Sequence, residues 1–238
     1  MARLRITLVL LALALTGCTR AEPRILQLLL PRTGAQVFAV SVNTGDVTLT
    51  TSQDGTIHVD VTLTPAKGFL GPWISRSREA VLDQAVLNHT LVNGKLMVSL
   101  AYPAGSETQD VKETWSIALP PIMQVHAELG AGSLGIDGVA GGVEASVYAG
   151  KLSISVPYGA IQGRVDVGDL DASSHSLDYG PVSLLSGVGT ASLLLNGTAA
   201  GTVQQKGPGQ TLDYQGSGTT PIKLVAKAGK VTLSLSAH

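Results

Sequence analysis

Around six glycines, Gly45, Gly132, Gly150, Gly168, Gly189 and Gly229, the chain repeats one arrangement of apolar and polar positions. Seven residues before them stand Phe38, Val125, Val143, Ile161, Val182 and Ile222; two after stand Val47, Leu134, Leu152, Leu170, Ala191 and Val231. The positions five before and four after are also apolar or small, whereas one after come Asp46, Ser133, Lys151, Asp169, Thr190 and Lys230. Alternation with period two on both sides of each glycine predicts two short strands with one face buried. The buried offsets are odd before the glycine and even after it, so the alternation skips a residue there. This predicts a corner, where glycine reaches unusual backbone angles at little steric cost.

The step is 18 residues from Gly132 to Gly150 and from Gly150 to Gly168, 21 from Gly168 to Gly189, and 40, or two periods, from Gly189 to Gly229. A unit this short cannot bury its own apolar face and must stack on its neighbours. The pattern predicts an all-β, single-domain parallel β-solenoid, β-helix-like, with coils of 18–21 residues spaced about 4.8 Å apart. The alternative is a twisted β-sandwich with evenly spaced strands.

The repeat lapses between Pro65 and Thr114, predicting an irregular insertion near 65–114. Within it, Gly68 to Pro72 reads as a loop, and Val81, Leu82, Ala85 and Val86 could form one helical face. Asn93-Gly94 is a tight-turn signal before Leu96-Met97-Val98-Ser99-Leu100. Trp73 and Trp115, the two tryptophans, bracket the insertion. They suit a satellite core that holds it in place, or a carbohydrate-stacking platform.

The sequence Val40-Ser41-Val42-Asn43-Thr44-Gly45-Asp46-Val47-Thr48-Leu49, then Gly55 to Val61, Trp115 to Pro120 and the glycine-centred copies, resembles the bacterial putative-adhesin domain family of unknown function. The resemblance runs from about Gln36 to Leu235 and implies a repetitive β-solenoid in an envelope protein. It implies no catalytic residue.

The first residues form a separate segment. Arg3 and Arg5 precede the greasy run Ile6 to Leu15, and Leu15-Thr16-Gly17-Cys18 follows. That run falls well short of the roughly 20 residues a membrane-crossing helix needs and reads as an export signal. The stretch resembles the lipobox of bacterial lipoproteins, which implies cleavage before Cys18 and acylation of its thiol. The division expected is signal peptide at 1–17, lipid-anchored segment at 18–35 and adhesin-like β-solenoid at 36–238. Two or more acyl chains give durable attachment, at about 0.8 kcal/mol per buried methylene. The expected location is the extracytoplasmic face of the cell envelope, anchored to a membrane without spanning it. Thr19 after the cysteine permits outer-membrane sorting in some two-membrane bacteria.

Composition fits an exported, sheet-rich domain: 44% of residues are hydrophobic, 14% charged, and there are 28 glycines. The formal charge is −1, and loss of residues 1–17 leaves 14 basic against 17 acidic residues, or −3. Near neutrality offers no electrostatic footprint for nucleic acid. The single cysteine allows no internal disulfide.

For chemistry, the candidate surface site is Asp166, Asp169, Asp171 and His175, with Asp178 nearby. Asp169 and Asp171 occupy outward columns and could meet calcium if a neighbouring coil added oxygens. The matching positions are Lys151, Ser153, Thr190 and Ser192, so no carboxylate ladder forms and solvated surface is the simpler reading. Ser173, Ser174 and His175 are consecutive, unlike triads assembled across a fold. His58, His89, His126 and His238 lack zinc spacing. The glycine runs lack a lysine-bearing phosphate loop. The expectation is therefore a lipid-tethered, non-catalytic display surface for an envelope glycan or another envelope protein, with no catalytic residue, cofactor or metal. A polysaccharide-active enzyme and a structural or regulatory protein are the alternatives.

Overall fold

The computed structural model describes residues 23–65, 81–105, 111–175, 179–197, 201–215 and 221–237. The leader, Cys18, Trp73 and Asp178 lie outside these residues.

The protein is all-β and builds one open, mixed sheet. Its strands are β1 (Arg24–Pro31), β2 (Val37–Thr51), β3 (Thr56–Pro65), β4 (Val86–Val92), β5 (Lys95–Ala101), β6 (Val111–Leu119), β7 (Gln124–Asp137), β8 (Val143–Val156), β9 (Gly159–Ser174), β10 (Tyr179–Gly197), β11 (Gly201–Gln215) and β12 (Pro221–Ala237). Hydrogen bonding runs β1-β3-β6-β2-β7-β8-β9-β10-β12-β11, with the β4–β5 hairpin joined to β2 through β5.

At the centre, β2, β7, β8, β9, β10 and β12 run parallel with the repeat columns in register: Gly45 pairs with Gly132, Gly132 with Gly150, Gly150 with Gly168, Gly168 with Gly189, and Gly189 with Gly229. The connections require each strand to fold back. β8 ends at Val156 and its parallel neighbour begins at Gly159, whereas a straight 14-residue strand would hold its ends about 45 Å apart. The fold lies at the glycine. In β8, Val143, Ala145 and Val147 are buried before Gly150, and Leu152, Ile154 and Val156 after it.

The sheet thus forms two walls with one apolar core between them. A methyl group placed on Gly163, in the first half of β9, would meet Leu170 of the second half at 3.1 Å and Leu184 of the next strand at 3.1 Å. Side chains from both halves interdigitate there. At about 25 cal/mol per Å² of apolar surface buried, each inward leucine or isoleucine contributes roughly 1.5–3 kcal/mol.

The corner admits only glycine, for two reasons. The six residues have φ between 132° and 153°. A Cβ on Gly132, Gly150, Gly168, Gly189 or Gly229 would also overlap the carbonyl oxygen of the glycine one strand earlier.

The sheet departs from the expected all-parallel arrangement at both ends. The β1–β3, β3–β6 and β4–β5 pairs are antiparallel, as is β11–β12. The two-period gap before Gly229 is no missing parallel coil: it contains β11, an antiparallel edge strand that pairs Gly207 with Gly229. β1 lies in the segment expected to be a tether and hydrogen-bonds along β3. Within the expected insertion, residues 81–105 and 111–114 are also more regular than expected. Asn93 and Gly94, with φ of 51° and 78°, form the tight turn between β4 and β5. The helical pattern yields one turn at 81–84 among the described residues, with Leu82 and Ala85 buried, and Val86 already belongs to β4.

β5 and β6 together make a further rung beside β2. Phe38 pairs with Leu96 and Val40 with Val98 in one wall; Val47 pairs with Trp115 and Leu49 with Ile117 in the other. The inward columns continue through this rung. Its corner does not, because β5 ends at Ala101 and the other wall is supplied by a separate strand, β6, from Val111.

Candidate functional site

Three places on this scaffold gather polar chemistry. The first is the outer face around the β9 corner, with Asp166 on the first wall and Asp169 and Asp171 on the second. The structure engages them one by one and does not converge them. Asp169 Oδ1 accepts from Thr190 Oγ1 at 2.6 Å and from the Thr190 backbone N–H at 3.3 Å. Asp171 Oδ2 pairs with Lys151 Nζ at 3.2 Å, one strand in the other direction. Asp166 precedes the corner and accepts from Arg164 Nε at 2.8 Å, which raises the arginine's already high pKa.

His175 closes the end of β9: its backbone N–H donates to Val156 O at 3.2 Å and its Nε2 stands 3.3 Å from Ser155 Oγ. Ser174 is buried, and its hydroxyl donates to Pro157 O at 3.4 Å. These contacts tie neighbouring strands together, and the Ser155 hydroxyl beside the His175 ring is an exposed contact between strands. Further along the same column, Ser133 Oγ donates to Asp46 Oδ1 at 2.6 Å and Lys112 Nζ lies 2.8 Å from Asp46 Oδ2. The lysine, then the serine, holds the Asp46 carboxyl below its ordinary pKa. Among the described residues, no three His, Cys, Asp or Glu side chains are grouped to hold a metal ion.

The second place is a shallow groove across the outer face of the first wall, lined by His126, Glu128, Glu144, Gln162, Arg164 and Leu185 among others. The outward positions six and four residues before the glycines supply it. His126 stands between two carboxylates, Nε2 at 3.3 Å from Glu128 and Nδ1 at 3.2 Å from Glu144.

The third place lies at the open corner of the β5–β6 rung. Pairing of β2 with β5 ends at Val40 and pairing with β6 begins at Gly45, so Ser41–Thr44 have no strand partner on that side among the described residues. A cleft of about 260 Å³ opens there, lined by Ser41, Val42, Asn43, Thr44, Leu100, Tyr102, Val111, Glu113 and Trp115. Glu113 pairs in register with Gly45, so it occupies the column that glycine fills elsewhere.

Only 8% of Glu113 is exposed. Its Oε1 accepts from Tyr102 O–H at 2.8 Å and its Oε2 from Trp115 Nε1–H at 2.8 Å. Burial, then the bond to Glu113, pushes the Tyr102 hydroxyl above its ordinary range, so it stays a donor. Trp115 is 1% exposed and belongs to the core, which removes it as a stacking platform. Glu113 escapes a sequence reading because it is one carboxylate in an apparently irregular stretch. The available signal was the alternation of Val111, Glu113, Trp115, Ile117 and Leu119, which puts Glu113 on the inward face.

No family model matches the chain, and neither does any curated protein. Two solved structures are similar to it. One is a putative cell adhesion protein from Clostridium sporogenes, 12% identical, with 91% of this chain and 95% of that chain covered and a TM-score of 0.44. The other is a putative adhesin from Bacteroides fragilis, 10% identical, with 74% of this chain and 90% of that chain covered and a TM-score of 0.34.

Proposed function

We propose that this protein is a lipid-anchored component of the bacterial cell envelope whose central strands wind as a β-solenoid and present a non-catalytic, adhesin-like binding surface. The observation that carries the reading is the in-register outward column Asp46, Ser133, Lys151, Asp169, Thr190 and Lys230, repeated strand by strand on an apolar core. Such a column offers many weak polar contacts to a repetitive partner such as an envelope glycan or another envelope protein, and avidity compensates for weak single contacts. The winding is supported by the short connections between parallel neighbours and the fold at each glycine. The non-catalytic reading is supported by the separate engagement of Asp166, Asp169, Asp171 and His175. The anchor is supported by the leader and Cys18, and no helix among the described residues is long and apolar enough to cross a membrane.

Two measurements test these parts. Mass spectrometry of the mature protein should find an acylated Cys18 N-terminus, and Cys18→Ala should move the protein out of the membrane fraction. An unmodified Cys18, or a variant that stays with the membrane, contradicts the anchor. Binding to isolated cell-wall sacculi should fall steeply when residues 143–160, one repeat, are deleted, and hardly at all for Asp169→Ala. Loss of binding through that single substitution contradicts the distributed surface.

A further inference from the structure

The Glu113 cleft is independent of the display surface. A carboxylate has about four lone-pair positions, and Glu113 fills two of them with neutral donors. Among the described residues no cation pairs with it; the adjacent Lys112 is drawn to Asp46 on the opposite face. Holding an ionised carboxylate out of water without a countercharge is costly, and the unfilled positions remain available to a ligand in the cleft.

The lining narrows the ligand class. A calcium ion takes six to eight oxygen ligands, usually with several carboxylates among them. This cleft has one carboxylate; its wall is more polar than apolar, with Val42, Leu100, Val111 and Trp115 supplying the apolar part. Its volume of about 260 Å³ exceeds the ~30 Å³ share of one water several-fold. An ammonium group brings three donors of its own to the polar part of the wall, and a short alkyl chain can lie against the smaller apolar part. Ser41, Asn43 and Thr44 add polar atoms from a stretch of β2 that has no strand partner on that side among the described residues.

We propose that the cleft is a binding site for a small organic cation with a primary ammonium group, which ion-pairs with Glu113. The probe is n-butylammonium chloride, with n-butanol at equal ionic strength as the neutral control. Trp115 Nε1–H, bonded to Glu113, is the reporter. The ¹⁵N-labelled full chain has two indole resonances, and Trp73→Phe identifies the one from Trp115.

The expected result is a saturable shift of the Trp115 resonance with n-butylammonium and none with n-butanol. Glu113→Gln should weaken the apparent affinity at least about tenfold, equivalent to about 1.4 kcal/mol, while Asp169→Ala leaves it unchanged. An absent or non-saturating shift, an equal response to n-butanol, or undiminished affinity in Glu113→Gln overturns the proposal. Should Glu113→Gln fail to fold, Asn43→Phe, which fills the cleft from an exposed strand position, must abolish the shift; a persisting shift overturns it equally.

Discussion

The central strands and the β5–β6 rung share the same inward columns, but one has closed corners and the other an open one. From β7 to β10 each strand passes from wall to wall through a glycine, and each glycine lies too close to its neighbour's carbonyl for a side chain. In the β5–β6 rung the walls come from separate strands, and Glu113 fills the glycine column without a positive φ. The apolar columns therefore set the register, while glycine is required only where the backbone turns between walls. Opening one corner keeps the core intact and creates the one described place where a buried carboxylate faces a cleft.

Substitutions can break this comparison at different strengths. The largest effect is expected from Leu152→Asp, which puts an unpaired charge at a fully buried core position. It should abolish cooperative folding, since the cost approaches the whole 5–15 kcal/mol of a typical domain; an unchanged melting curve would refute the assigned inward phase. Next comes the corner. Gly150→Ala should cost about 3 kcal/mol or more in denaturant unfolding, through the forced overlap with Gly132 and the strained φ. Its counterpart Glu113→Ala removes two hydrogen bonds without moving backbone and should cost about 1–2 kcal/mol. Equal losses would mean the two corners do not differ as described.

Smaller effects are expected on the outer face. Asp169→Ala should change stability by no more than ~0.5 kcal/mol, since its contacts are exposed. The last prediction concerns the turn between β2 and β3. Thr56, through its hydroxyl and then its N–H, with His58 after it, lowers the Asp54 pKa from 3.8 to about 2. A depressed carboxyl stabilises the fold fully above its unfolded pKa and loses that contribution as pH falls through the folded one. The small contribution should therefore fade between about pH 4 and pH 2, and Asp54→Asn should flatten the acid limb of the stability profile in that window. An identical acid limb in the variant would remove the turn's role.

The central strands were legible in the sequence because one residue type recurs at one place and the alternation changes parity around it. The columns identified there, such as Val143, Leu152 and Ile154, are the buried ones. Strand direction at the ends was not legible. Side-chain alternation is the same in parallel and antiparallel strands, so β11 passes for a missing coil and β3 for part of the repeat. β1 carries apolar residues on both faces, Ile25 and Leu29 outward and Leu26, Leu28 and Leu30 against the core, so it shows no alternation.

The β5–β6 rung was hidden for another reason. Leu96 and Val98 stand in the columns of Phe38 and Val40, and Trp115 and Ile117 in those of Val47 and Leu49. The residues between Ala101 and Val111 break the spacing that revealed the other copies. Asp169 and Asp171 read as outward columns, but the partners of Asp166, Asp169, Asp171 and His175 depend on inter-strand register, which sequence separation does not reveal.

Folding of each long strand back on itself at its glycine is the feature on which both walls, the core and the cleft depend. An NOE between the Leu170 methyl groups and the Gly163 Hα protons tests it most directly. The two residues face each other across the core, so a clear cross-peak is predicted. In an unfolded-back strand, seven residues of extended chain would separate them by about 23 Å, and absence of the cross-peak in the folded protein would contradict the account.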